Sequence, residues 1–238
     1  MAAKDGPLGG GWSGWLQDQA RRAETPVLRA FYERFPADAG QPVGQTPLVA
    51  LDLETSGLDP RRHAILSIGL VPFDLNAISI AQRRYWILRP PRGFSGESVA
   101  YHHITHADTE QAPDFAEILP DLLDALAGRL PVVHYHPIER GFLERAVHQR
   151  GLGTFRFPVI DTMAIEARRY RQRWRMGLRR LLGKAPTSIR LNDSRARYHL
   201  PAYEGHQAVI DATGTAELLQ AQIQHHYRSS TAVGDLWV

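Results

Sequence analysis

Two carboxylates one residue apart carry the first chemical signal. Asp52 and Glu54 sit in the apolar run LVALDLE, and on a strand residues two apart point to the same face. Side by side at the end of a buried strand they repel each other and call for a cation or a shared proton. A hard divalent ion, Mg2+ or Mn2+, with carboxylate and water ligands is the natural partner. The plain alternative is a strand edge where both acids turn to solvent. Thr55, Ser56 and Gly57 follow, offering hydroxyls and open backbone to a substrate phosphate. Near the other end of the chain, HQAVID sets His206 five residues before Asp211. Residues five apart do not stack on one helix face. If His206 precedes the helix, however, both look into one cleft, and Ala208 keeps the approach open. An imidazole there suits a general base near pH 7. The plain alternative is a capping His and a surface Asp.

Composition narrows the chemistry. The chain has 238 residues and no cysteine, which excludes disulfides, thiolate metal sites and a thiol nucleophile. Any metal must be held by carboxylates, imidazoles and water. Hydrophobic content of 43% and charged content of 22% describe a globular chain. No apolar run approaches the ~20 residues of a membrane span, and the first residues lack an apolar signal core. A cytoplasmic protein without membrane association is expected. The net charge is only +3, but its distribution is uneven. From Arg168 to Arg197 eleven Lys or Arg residues stand against one acid, Asp193. Arginine suits bidentate phosphate contacts, so this stretch reads as a phosphate-facing surface or as a solvated helix face.

The elements that must position these residues follow from periodicity. Residues 11–36 read as helical, with a second helix starting at Pro26, and 36–47 as a turn-rich linker. Strands are expected at 48–54, 64–74, 78–88, 130–134 and 157–161. Helices are expected at 113–128, 138–150, 162–183 (broken near Gly177) and 205–226. A three-strand meander followed by strands alternating with helices gives a mixed α/β sheet of five strands flanked by helices. The division is 1–46 as an N-terminal helical extension, 47–226 as the main domain and 227–238 as a tail.

Taken together, Asp52-x-Glu54 and His206-x-Ala208-x-x-Asp211 resemble the DEDD exonucleases with a histidine base. LDLETSGLDP (51–60) with AILSIGLV (64–71) is similar to the first exonuclease motif of the epsilon proofreading subunits of bacterial DNA polymerase III. His102-His103-Ile104-Thr105 and Ala112-Pro113-x-Phe115 resemble that family's His-Gly-Ile-Thr and Pro-x-Phe segment, with His103 in place of Gly. Asp161-Thr162 resembles the dipeptide ahead of its later helix. The likeness spans about residues 47–226. It implies an RNase H-like fold and a 3′–5′ exonuclease that uses two divalent metals on the 3′ ends of DNA or RNA, single-stranded DNA foremost. It also implies a partner in the replication machinery. Asp52, Glu54 and Asp211 match metal ligands, and His206 matches the general base. Leu58 falls where the family wedges an apolar side chain against the terminal base, and His102 falls where it contacts nucleic acid.

The second motif departs from the family. Where the family reads His-Asn-x-x-Phe-Asp, residues 134–139 read His-Tyr-His-Pro-Ile-Glu. Glu139 therefore stands at the fourth acidic position with one methylene more than Asp. Three readings are open. Glu139 serves a metal, through water if not directly; or it pairs with Arg140 or another arginine; or the site is degenerate and the chain is a nucleic-acid-binding or scaffold module. His102, His103 and His106 lack the cysteine or glutamate of a usual zinc site. His134 and His136, at a strand end, read as structural or as supports for the groups of the site. Trp174 reads as a buried helix residue or as a base-stacking one. Gly234–Val238 reads as a packed or frayed tail, with a faint likeness to sliding-clamp docking peptides.

Overall fold

The computed structural model describes residues 11–91, 104, 106–172, 183 and 185–238. Its five strands are β1 (Leu48–Thr55), β2 (Ile65–Phe73), β3 (Arg84–Ile87), β4 (Leu130–Val133) and β5 (Ile160–Asp161), in the order β3-β2-β1-β4-β5. β1 runs antiparallel to β2 and parallel to β4. β3 is antiparallel to β2, and β5 is parallel to β4. The near-continuous apolar run of β1 suits a central strand covered on both faces. Because β1, β4 and β5 are parallel, Thr55, Val133 and Asp161 end at the same sheet edge. In open α/β sheets that carboxyl edge is where ligands bind.

The described helices are α1 (Gly11–Arg22), α2 (Pro26–Arg34), α3 (His106–Glu110), α4 (Phe115–Leu126), α5 (His136–Gln149), α6 (Thr162–Tyr170), α7 (Leu191–Arg197), α8 (Ala208–His226) and α9 (Val233–Leu236). α8 lies on β1 and β2. Its approach depends on Gly69, which pairs with Asp52 across β1 and β2. A Cβ on Gly69 would fall 2.3 Å from the Ala208 carbonyl carbon and 2.4 Å from the Val209 nitrogen. The absent side chain lets the first turn of α8 rest on the strand beside Asp52.

Both ends of the described chain pack on the main domain. Trp12, Trp15, Leu16, Leu28, Phe31 and Tyr32 join the core that contains β1. Phe31 meets Phe155 and Phe157 edge to face at 5.3 and 5.5 Å, a favoured aromatic geometry. Leu236, Trp237 and Val238 are buried, and Val159 and Val238 exchange backbone hydrogen bonds. The last residues therefore line the β5 edge, which is the packed-tail reading and not an open docking peptide.

Several expected boundaries shift. The third strand covers only Arg84–Ile87, because Ile78 forms an isolated bridge to Phe73 and Ile80–Gln82 turns as a 3-10 helix. The fifth keeps two residues: Phe155 and Phe157 turn their rings into the α2 cluster, while Val159 pairs with Val238. α5 starts two residues early, at His136, with Pro137 in its first turn. α6 ends at Tyr170, and the expected break near Gly177 lies outside the described residues, as does Trp174. α3, α7 and α9 are short helices that periodicity did not reveal.

Candidate active site

The carboxyl edge of β1 brings the first motif to the last. Asp52, Glu54 and Asp211 each offer an oxygen, and these atoms lie within 4.8 Å of one another. Asp52 and Glu54 share a face of β1, whose register sets them opposite Gly69 and Ser67. Asp211 stands in the first turn of α8. The charges press on one another. Burial first, then Asp211, Glu139 and Glu54, push the Asp52 carboxyl well above its ordinary range. Burial likewise raises Asp211, with Glu54 adding to it. Neighbouring carboxylates that disfavour their own ionisation, with oxygen ligands only, fit a hard divalent cation.

Asp211 is held on both oxygens. The Tyr203 hydroxyl donates to Oδ1 at 2.6 Å, and the His206 backbone N–H donates to Oδ2 at 2.9 Å. Tyr203 lies under the Arg195 guanidinium, 4.6 Å from the ring centre. Burial, with the bond to Asp211, pushes its hydroxyl pKa upward, so it remains a donor. Gly205 and Gly214 make room: a Cβ on either would come within 3.1 Å of Asp211 or the Tyr203 ring. Sequence reasoning missed Tyr203, for which nothing in the motif gives a signal. Gly69 carried one, since a glycine inside a strand often marks a close backbone approach.

His206 is exposed and precedes α8 with φ of 74°. A non-glycine residue in the left-handed region costs about 1–3 kcal/mol and tends to occur at functional sites. Glu139 is 3% exposed in the first turn of α5, and its Oε2 has no hydrogen-bond partner among the described residues. It is not part of the 4.8 Å group, yet its charge reaches Asp52. Burial, with Asp161 nearby, raises its pKa well above the usual value. Arg140 does not pair with it. That guanidinium donates to the Phe157 and Val238 carbonyls and lies over Trp12.

Asp161 works as a double cap. Its carboxylate accepts from the backbone N–H groups of Tyr135, His136 and Ala164, and from His136 Nδ1 at 2.6 Å. It thereby ties the start of α5, which carries Glu139, to the start of α6. Thr55 Oγ1 donates to the Gly57 carbonyl, and Ser56 Oγ accepts from the Ala64 N–H. Both hydroxyls thus shape the β1–β2 connection. Leu58 on that connection is 81% exposed. His102 and His103 lie outside the described residues.

His134 Nδ1 lies 2.8 Å from Thr162 Oγ1, and Nε2 lies 3.1 Å from the Ile189 carbonyl. Burial lowers its pKa from 6.5 to about 4. The unfolded chain takes up a proton as pH falls through about 6.5, whereas the native state resists until about 4. Stability should therefore be lost across that window, by up to about 3 kcal/mol at 1.36 kcal/mol per unit. Melting temperatures from pH 7 to 4 check this: His134→Asn should show a shallower acid-side slope than the parent.

This fold, with its carboxylate cluster at the sheet's carboxyl edge, is that of an exonuclease. The chain belongs to the RNase_T exonuclease family, which matches residues 49–219. It is 32% identical over 123 residues to the DNA polymerase III PolC-type protein of Thermotoga maritima, covering 51% of this chain and 9% of the relative. It is 29% identical over 96 residues to the DNA polymerase III subunit epsilon of Rickettsia conorii, covering 40% of this chain and 41% of the relative. The chain thus spans about a tenth of the length of the PolC-type relatives it matches. Among solved structures, the nuclease domain of 3′hExo, a DEDDh family member bound to rAMP, superposes with a TM-score of 0.61 at 14% identity, covering 76% of this chain and 92% of that one. Exonuclease X in complex with 5′ overhanging duplex DNA gives 0.55 at 22% identity, covering 79% and 98%. These two share the fold. Among the described residues no helix is long and apolar enough to cross a membrane.

Proposed function

We propose that the chain is a metal-dependent 3′–5′ exonuclease that removes nucleotides from the 3′ end of single-stranded DNA, with RNA as a second substrate. The observation that carries this is the convergence of Asp52, Glu54 and Asp211 within 4.8 Å beside the exposed, left-handed His206. Asp52, Glu54 and Asp211 would hold two Mg2+ or Mn2+ ions, with Glu139 serving them through water. Bound there, the ions supply charge neutralisation and Lewis acidity at the phosphodiester. His206 takes the proton from the attacking water. Tyr203 and the His206 N–H keep Asp211 oriented, and the positive end of α8 faces the anionic phosphate. Thr55, Ser56 and Leu58 would seat the terminal nucleotide. The names of the polymerase III relatives support a partner in the replication machinery. The rival reading of a non-catalytic module is not favoured, since all four acidic positions carry a carboxylate and a histidine stands beside Asp211.

A gel assay with 5′-labelled single strands tests the proposal. With Mn2+ or Mg2+ the label should move into a ladder of products shortened from the 3′ end. Glu54→Ala should leave the strand intact. No cleavage beyond that control with either metal would overturn it.

A further inference from the structure

The start of the basic 168–197 stretch lies away from the carboxylates. The last turn of α6 carries Arg168 and Arg169, and that of α8 carries His225 and His226. Between these ends is a cleft of about 270 Å³ lined by Ile165, Arg168, Arg169, Gln172, His226 and Tyr227. The wall beneath it is fixed by polar bonds. Glu166, fully buried, accepts from the Tyr198 hydroxyl and Gln222 Nε2, both at 2.8 Å, and pairs with Arg197. The Tyr198 hydroxyl also lies 3.0 Å from His226 Nε2. Arg197 in turn covers the Tyr170 ring at 4.8 Å. Both Arg168 and Arg169 are exposed. Among the described residues neither is in an ion pair. Arg168 Nη1 donates to the Asp235 carbonyl, and Arg169 lies against Tyr170 at 5.8 Å.

We propose that this cleft holds a backbone phosphate of the same single strand whose 3′ end occupies the carboxylate site. The inference rests on the exonuclease reading and adds to it a distance. From Asp211 to His226 α8 advances about 22 Å at 1.5 Å per residue. At about 3.4 Å per stacked nucleotide, the held phosphate lies roughly six or seven nucleotides from the 3′ terminus. Arginines without carboxylate partners suit bidentate phosphate contact. Cations in a helix's last turn also offset the negative end of its dipole. That role would make them stabilising but indifferent to strand length.

The test compares the full chain with its Arg168→Gln/Arg169→Gln form on single strands of 3 to 20 nucleotides, with Mn2+. For the parent, KM should fall about tenfold as the strand passes about seven nucleotides. The double variant should lose that gain while its kcat and its KM for the trinucleotide stay unchanged. Its log–log salt slope on the 20-mer should drop by about 1 to 2. An unchanged length dependence, or an equal loss on the trinucleotide, would overturn the inference. Fluorescence anisotropy with a labelled 20-mer and trinucleotide in EDTA reads the cleft without cleavage. There the variant should lose affinity for the 20-mer alone. If the parent cuts nothing, the exonuclease reading fails, and the anisotropy result still decides the cleft: equal 20-mer affinity for parent and variant defeats it.

Discussion

Gly69→Ala should cut kcat about 100-fold and lower the melting temperature by about 6–12 °C. The added Cβ would meet backbone, at 2.3 to 2.5 Å from Ala208 and Val209, and not the movable end of a side chain. Overpacking of this kind costs about 1–3 kcal/mol, here toward the upper figure because neither β2 nor the first turn of α8 can give way locally. For a domain of this size each kcal/mol shifts the melting temperature by about 2–4 °C. The activity loss has a separate origin. Asp211 and His206 ride on the start of α8, while Asp52 and Glu54 ride on β1, whose Asp52 pairs with Gly69. Lifting the helix by about an ångström misaligns groups that must act together, which is enough for a 100-fold loss. Steady-state kinetics and thermal denaturation of the variant check both figures. Parent-like kcat at full stability would show that the acids do not depend on this approach.

Glu139 should separate stability from activity. Glu139→Ala is expected to lower kcat/KM by about 10- to 100-fold, the range for a group that tunes a metal site through an intervening ligand. Glu139→Asp should keep or raise activity. Meanwhile Glu139→Gln should raise the melting temperature of the metal-free protein. Burial raises the pKa of this carboxylate, and its charge bears on Asp52, so stability is lost as pH rises above the ordinary carboxylate range, where the unfolded chain ionises Glu139 and the folded chain resists. Removing that charge relieves the metal-free state and weakens the site. A Glu139→Ala protein that digests single strands as fast as the parent would show that the carboxylate has no part in the reaction.

The sequence was most readable where chemistry and periodicity coincide. LVALDLET has to be a buried strand, and its two acids on one face point to a cation from their spacing alone. HQAVID placed an imidazole ahead of a helix start, where His206 stands. What stayed hidden depends on partners far along the chain. Tyr203 reaches Asp211 only because the segment before α8 folds back and Gly214 clears space for the ring. Asp161 was legible only as part of a dipeptide ahead of a helix, and its bonds to Tyr135 and His136 come from the parallel pairing of β4 and β5. Arg140 looked like a local partner for Glu139, but the Phe157 and Val238 carbonyls draw it away. The shortened third and fifth strands have the same cause: Ile78 and Phe157 fit a strand pattern, and tertiary contacts decide otherwise.

The joining of β1 to α8 has a temporal consequence. The acids of the site are separated by nearly 160 positions. At a synthesis rate of about 5–20 residues per second, Asp211 follows Asp52 out of the ribosome roughly 8 to 30 seconds later. In that interval a nascent chain carries the first two carboxylates on a strand that still lacks its covering helix. The carboxylate cluster is therefore incomplete while the chain is being made, and on the exonuclease reading proposed above cutting begins only when the last long helix docks.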